Sequence, residues 1–300
     1  MKKKTYLFTL MAMALTLGSC SDNENGIGGE TSKYITVSTS IGNMTRVATD
    51  ANGGQTFEEG DEISVYAWTG DATVAPETSE RVVNNAINKL TNGSWVSTPQ
   101  MLWKNNRDKH YFIGVYPTTA ISDLTTGEYT FDETKQVESD LLVAVNKDGL
   151  SYNVDEQQPV PLTFTHVMAK LAVNLTYKNQ WGGIPTVEKV VVGNAAKEAT
   201  INYLTKVVTP STTAKEDFSL PEITENTKYV SVIIPQEEVT QLTIVIGGKN
   251  FVYDNGTPFK LESGKITTVN LEVGRDEIKL GDVKITNWED GSTFSGEALN

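Results

Sequence analysis

Short runs of alternating apolar and polar residues, each closed by a turn former, recur along almost the whole chain. That pattern restricts it to all-β architectures. Ile35, Val37, Thr39 and Ile41 alternate with Thr36, Ser38 and Ser40. Ile63–Trp68 follows the turn signal Glu59-Gly60-Asp61, and His110–Tyr116 runs into Pro117. Leu171, Val173, Leu175 and Tyr177 alternate; Val187–Val192 and Tyr229–Ile234 are β-branched runs, the second stopped by Pro235. Leu242–Ile246 precedes Gly247-Gly248, and Val269, Leu271 and Val273 alternate again, as do Val283 and Ile285. A period of two sends one set of side chains to a core face and the other to water. Many such segments separated by Gly, Pro, Asn and Asp clusters predict β-sandwiches. Ser79–Leu90 departs from the pattern: Val82, Val83, Ala86, Ile87 and Leu90 fit helical spacing. A short helix and an irregular strand both accommodate it, and the spacing favours the helix.

The polar stretch Asp155-Glu156-Gln157-Gln158-Pro159 predicts a boundary, with 47–158 as one domain and 159–300 as a second, opened by Val160–Tyr177. A chain of this length can bury two such cores.

The N-terminus is built differently. Lys2, Lys3 and Lys4 precede an apolar run, Tyr6–Leu17, which is shorter than the roughly 20 residues a membrane-spanning helix needs. A basic start, a short apolar stretch and small residues before a cut describe an export signal over 1–19. Leu17-Gly18-Ser19-Cys20 resembles a lipobox, in which cleavage between Ser19 and Cys20 leaves an acylated cysteine carrying chains such as palmitate. Each buried CH₂ of such a chain contributes about 0.8 kcal/mol, so more than one chain holds firmly. Ser21-Asp22-Asn23-Glu24-Asn25 resembles the acidic signal that sends Bacteroidetes lipoproteins to the outer face of the outer membrane; a plain solvated tether is the alternative. The same stretch is not a calcium loop, because Ser21 and Ser32 stand where that loop needs carboxylates.

Loss of the three signal lysines takes the net charge from −13 to −16. So acidic a surface argues against nucleic acid and anionic lipid as partners. Cys20 is the only cysteine, which excludes disulfides, thiolate metal sites and cysteine nucleophiles. His110 and His166 are the only histidines and belong to no metal-ligating pattern. No nucleophile elbow, phosphate-binding loop or dinucleotide fingerprint occurs. The residues therefore predict no enzyme, no cofactor and no metal. Trp68, Trp95, Trp103, Trp181 and Trp288 suit stacking on sugars, or a place in a core or groove.

Several phrases occur together in one order. They are Phe57-Glu58-Glu59-Gly60-Asp61-Glu62-Ile63-Ser64-Val65, then Trp103 with Tyr111–Pro117, then Asp140-Leu141-Leu142-Val143-Ala144. Leu162–Leu171 follows, then Leu261-Glu262-Ser263-Gly264-Lys265 and Ile285-Thr286-Asn287-Trp288-Glu289-Asp290-Gly291. In phrase and order, from about 57 to 291, the chain resembles the Bacteroidetes fimbrillin-like proteins. The resemblance implies an all-β pilin with two transthyretin-like β-sandwich domains, carried through the periplasm by the lipoprotein processing machinery to the outer membrane. It implies a lipidated propeptide over 20–46, cut by an Arg-specific, trypsin-like surface protease. The groove left behind would then accept a strand from another pilin subunit.

The residues suit that scheme. Tyr34–Ile41 can fill its own groove as a placeholder, and burial of Ile35, Val37 and Ile41 would contribute about 1.5–3 kcal/mol each. Arg46 and Val47 lie beside Ala48–Gln55, whose Asp50, Asn52, Gly53 and Gly54 predict an accessible site. Of the four arginines, Arg46, Arg81, Arg107 and Arg275, only Arg46 falls between the first strand and the Gly60-Asp61 turn. The family suggests a donor strand near 277–300, with Val283, Ile285, Trp288 and Phe294 as groove-filling side chains; an ordinary last strand is the equal alternative. Two other readings are a non-polymerising outer-membrane lipoprotein and a tip adhesin, binding glycan or host protein.

Overall fold

A computed structural model describes residues 33–42, 56–153 and 158–288. The first half carries β1 (Val37–Ile41), β2 (Glu62–Thr69), β3 (Val83–Thr91), β4 (Ser94–Thr98), β5 (His110–Tyr116), β6 (Gly127–Thr130), β7 (Leu142–Leu150) and β8 (Val160–His166). The second half carries β9 (Ala169–Tyr177), β10 (Val187–Ala196), β11 (Glu198–Asn202), β12 (Val207–Pro210), β13 (Lys215–Ser219) and β14 (Glu222–Thr224). It ends with β15 (Lys228–Ile233), β16 (Gln236–Ile246), β17 (Lys249–Leu261), β18 (Lys265–Val273) and β19 (Ile278–Asn287). Among the described residues, helix is confined to single 3₁₀ turns at Thr78–Glu80 and Asn179–Trp181. The chain is all-β, as its alternation predicts.

Seven strands form the first sheet in the order β1-β8-β7-β5-β2-β3-β4. Both of its faces are buried. Ile63, Val65 and Ala67 of β2 join Phe112, Leu162 and Phe164 in one core, whereas Tyr66 and Trp68, one position out of phase, enter the other. The second half is a β-sandwich: β14-β15-β9-β18-β19 packs on β13-β10-β16-β17, and Leu171, Val173, Val190, Leu242, Ile244, Val269 and Leu271 share its core. That core continues into the first half through Ile121, Leu124, Phe131 and Leu141. A small sheet, β12-β11-β6, draws strands from both halves. Gly247 and Gly248, at φ 58° and 71°, make the two-residue turn between β16 and β17, a conformation that costs glycine little.

Two expectations need correction. Ser79–Leu90 is not a helix. Beyond the 3₁₀ turn it is strand β3, with Ala86 opposite Val65 and Val83 opposite Ala67. Asn84 and Asn85 of β3 thus stand against Tyr66 of β2 alone, and Asn85 takes up the excess at φ 56°. A bulge of this kind resets the alternation, so the buried Val83 and Ala86 acquire a spacing that imitates a helix. Val160–His166 also does not open a second strand system, because β8 pairs with β7 and β1 inside the first sheet. Sheet membership changes after it, between His166 and Ala169.

Candidate strand-binding groove

β1 lies at the edge of the first sheet, parallel to β8, in the register Val37–Val160, Thr39–Leu162 and Ile41–Phe164. Parallel pairing requires a long connection, and here the whole of β2 to β7 intervenes. The alternation of β1 gives Ile35 and Val37 2% and 6% exposure, facing Met101, Leu162 and Phe164 in the smaller core. Ile41 packs on the same core but is only half-buried, since it sits where the groove opens. Phe57 closes the floor there, its ring edge-on to Phe164 (5.1 Å between centroids), Trp95 (5.3 Å) and Tyr116 (5.4 Å).

The backbone of β1 is bonded along its β8 edge: Val160 N–H donates to Thr36 O (2.8 Å), and Gly42 N–H donates to Phe164 O (2.7 Å). Its other edge faces β4 across an open slot of about 730 Å³, lined by Val37, Thr39, Ile41, Phe57 and Trp95. Trp95 Nε1 crosses this slot to donate to Thr39 Oγ1 (3.0 Å). A second cleft, of about 390 Å³, lies past the end of β1 and shares Ile41, Thr56 and Phe57 with the slot. Beneath β1, Gly114 of β5 lies so close to Phe164 that a Cβ there would fall 2.6 Å from Cζ.

At the other end of the chain, β19 is an edge strand too, paired antiparallel with β18 from Ile278 to Asn287. Val283 stands opposite Val269 and Ile285 opposite Thr267, both buried, so the two side chains lie on the row that faces the core. Each is nevertheless 37% exposed, because nothing described covers the flank of the sandwich. Trp288 is buried instead. Its ring stacks on His166 (4.0 Å, 5° between planes), and Lys170 Nζ lies over it at 4.1 Å. His166 Nδ1 meets Asp140 Oδ1 at 2.8 Å.

His110 is also buried. Lys104 N–H donates to its Nε2 (3.1 Å), so the proton resides on Nδ1, 3.1 Å from the Asp108 carbonyl. This is a neutral packed ring, and burial pushes it below the ordinary histidine range, with the Asp108 carbonyl opposing.

Of the residues singled out in the sequence, Ile35, Val37 and Ile41 share one groove, and Val283, Ile285 and Trp288 share the last strand and its end. Ser19, Cys20, Arg46, Val47 and Phe294 lie outside the described residues. Trp95 lines a groove, one of the places expected for the tryptophans, whereas sequence reasoning missed the roles of Phe57 and β8 around β1. It also missed the stack of Trp288 on His166, although both residues belong to the family-like phrases quoted above. The spacing of those phrases carried the signal; contact between them did not show.

The sequence profile of the fimbrillin-like family matches residues 45–288. The chain belongs to the fimbrillin-like family. The match begins after β1, so Phe57, Trp95 and β8 of this fimbrillin-like protein lie within the family region while β1 precedes it. No curated protein sequence matches the chain. Solved structures share its fold. One, described as a cell adhesion protein from Bacteroides uniformis, aligns with TM-score 0.65 and 19% identity over 86% of this chain and all of its own. A second cell adhesion protein, from Bacteroides ovatus, gives 0.65 and 18% over 85% and 98%. A fimbrial protein from Bacteroides vulgatus gives 0.53 and 13% over 86% and 100%. At such identities the likeness is one of fold.

Proposed function

We propose that this protein is a structural subunit of cell-surface fimbriae that supports adhesion. In this reading it is exported by the signal of 1–19, lipidated on Cys20 and cut between Arg46 and Val47 by an Arg-specific surface protease. It then polymerises when a strand from another subunit replaces β1. The observation that carries the reading is how β1 is held: hydrogen-bonded to β8 on one side, open to a slot on the other, and joined to β2 only through the chain between Gly42 and Thr56. Strand addition at a sheet edge takes its affinity from backbone bonds and its specificity from alternate side chains. While the link is intact, β1 competes at an effective concentration of about millimolar. A cut turns its departure into true dissociation, and an incoming strand then competes on equal terms.

The donor in this reading is the segment near 277–300. β19 is an edge strand whose core-facing Val283 and Ile285 are each 37% exposed, although its removal would also uncover Val269 and Thr267 and take Trp288 off His166. Trp288 and, beyond it, Phe294 would supply the larger side chains for the acceptor groove. Family membership supports a structural rather than an enzymatic role and a cell-surface location.

The test is N-terminal sequencing of surface material, with Val47 expected as the first residue, together with the Arg46→Ala variant, which should neither mature nor polymerise. Abundant polymer from uncut Arg46→Ala protein overturns the reading. The pairing of β19 with β18 over its whole length, with one irregularity at Gly281, and the burial of Trp288 favour a second reading, in which the subunit keeps β19 as a tip adhesin or anchored lipoprotein binding glycan or host protein. The anchored form predicts acylated Cys20 in the mature protein and no ladder on mildly denaturing gels; a tip adhesin keeps the strand-exchange mechanism and is told apart by whether its C-terminal segment can be extracted as a donor strand.

A further inference from the structure

The segment from Lys33 to Ile41, which ends in β1, is held unequally along its length. Over residues 33–36, ahead of β1, the backbone is bonded on both edges. Ile35 N–H donates to Met101 O (2.9 Å), Trp103 N–H donates to Lys33 O (3.1 Å), and Tyr34 bridges Leu102, while Val160 N–H donates to Thr36 O (2.8 Å) from the opposite side. Towards its end only the β8 edge carries backbone bonds among the described residues, and Trp95 supplies the tie across the slot. Burial follows the same gradient: Ile35 and Val37 are buried, Thr39 and Ile41 half-buried. Among the described residues the register with β8 runs as far as Ile41 opposite Phe164, and β8 continues through Thr165 and His166. The two clefts meet at this point, where both are lined by Ile41, Thr56 and Phe57.

Resting on the strand-replacement reading, we propose that these joined clefts are the entry port for an extended segment of a second copy of this chain, and that exchange runs one way, from Ile41 to Ile35. The newcomer first occupies the stretch of β8 past Phe164 and the apolar floor of Phe57, Leu142 and Val137. Each position that β1 yields at its weaker end is taken by the newcomer's next residue, so the core face of β8 is never stripped. The pairs of 33–35 with 101–103, bonded on two edges and most deeply buried, break last. Entry at the opposite end would require breaking both edges before any new bond formed, which a buried backbone group resists.

Two measurements test this on the full chain. Amide hydrogen exchange of the uncut protein should show Gly42 exchanging at least about tenfold faster than Ile35 and Val160, because the strand opens from its Ile41 end. Uniform protection, or the reverse order, overturns the direction whatever becomes of Arg46. The second measurement uses chain cut after Arg46 and labelled synthetic peptides with the sequence of residues 34–45. Removing the peptide's last four residues should slow association about tenfold, and removing its first three should shorten residence with association unchanged. The opposite pairing of effects overturns the entry port. If no peptide displaces β1 at all, strand replacement itself fails and the port with it, an outcome distinguishable from a wrong direction.

Discussion

Replacing Trp288 by alanine should be among the most destabilising changes available at the C-terminal end. The ring is 3% exposed, stacked on His166 at 4.0 Å and covered by Lys170 Nζ at 4.1 Å. The Trp288 backbone N–H donates to Gly264 O (3.1 Å) at the open end of the β18–β19 hairpin, and that bond survives the substitution. The loss is therefore side-chain packing and the cation–ring contact. Truncation of a buried aromatic costs about 3–5 kcal/mol, and a desolvated cation–π contact roughly 1–2 kcal/mol of that range. For a folded unit of this size such a change lowers the melting temperature by roughly 10 °C. Far-UV circular dichroism in urea reads it without relying on tryptophan fluorescence. Trp288→Phe, which keeps a ring against His166, should recover about half. A Trp288→Ala protein within about 1 kcal/mol of the parent refutes the packing argument. Hydrogen exchange on the same variant carries a second message: β19 should loosen more than β18 if Trp288 is what holds an otherwise half-wet strand in place.

Gly114→Ala forces a Cβ to 2.6 Å from the buried Phe164 ring and should cost about 1–3 kcal/mol by overpacking, seen as a lower urea midpoint. Trp95→Phe keeps the ring beside Phe57 but removes the donor to Thr39; a loss of about 1 kcal/mol should appear as faster exchange at Gly42. The folded-state pKa of His110 is depressed by burial, so below its unfolded value the unfolded chain binds the extra proton. Stability should thus fall as pH drops below about 6.5, and His110→Gln should flatten the urea midpoint measured across that range. Asp123 is held down to about 2 by the Thr125 hydroxyl first, then the Thr126 hydroxyl and the Thr125 N–H. Its contribution is complete above the unfolded value and is lost as pH falls towards 2; a carboxyl NMR titration should show it, and Thr125→Ala should raise the midpoint.

The strands were legible because a period of two is written locally, residue by residue. Ile35 and Val37 declared their core face in this way, and the Gly247-Gly248 turn declared its hairpin. Ser79–Leu90 misled for a local reason too: a bulge at Asn85 breaks the phase, and the helical spacing that results is a by-product of pairing with β2. Ile41 shares the alternation of Ile35 but not its burial, because the open end of a groove cannot be read from periodicity.

From residues alone came the all-β class, the apolar face of β1 and the family phrases. Each depends on neighbours in the chain or on composition. Only the tertiary structure decided that β1 lies parallel to β8 more than 120 positions away (Val37 opposite Val160), that β8 belongs to the first sheet, and that Trp288 closes over His166 and Lys170. Strand partners are chosen by long-range burial and edge satisfaction, and many pairings satisfy the same alternation equally well. The unequal hold on β1 arises at that level, since it depends on which backbone groups two distant segments leave unpaired.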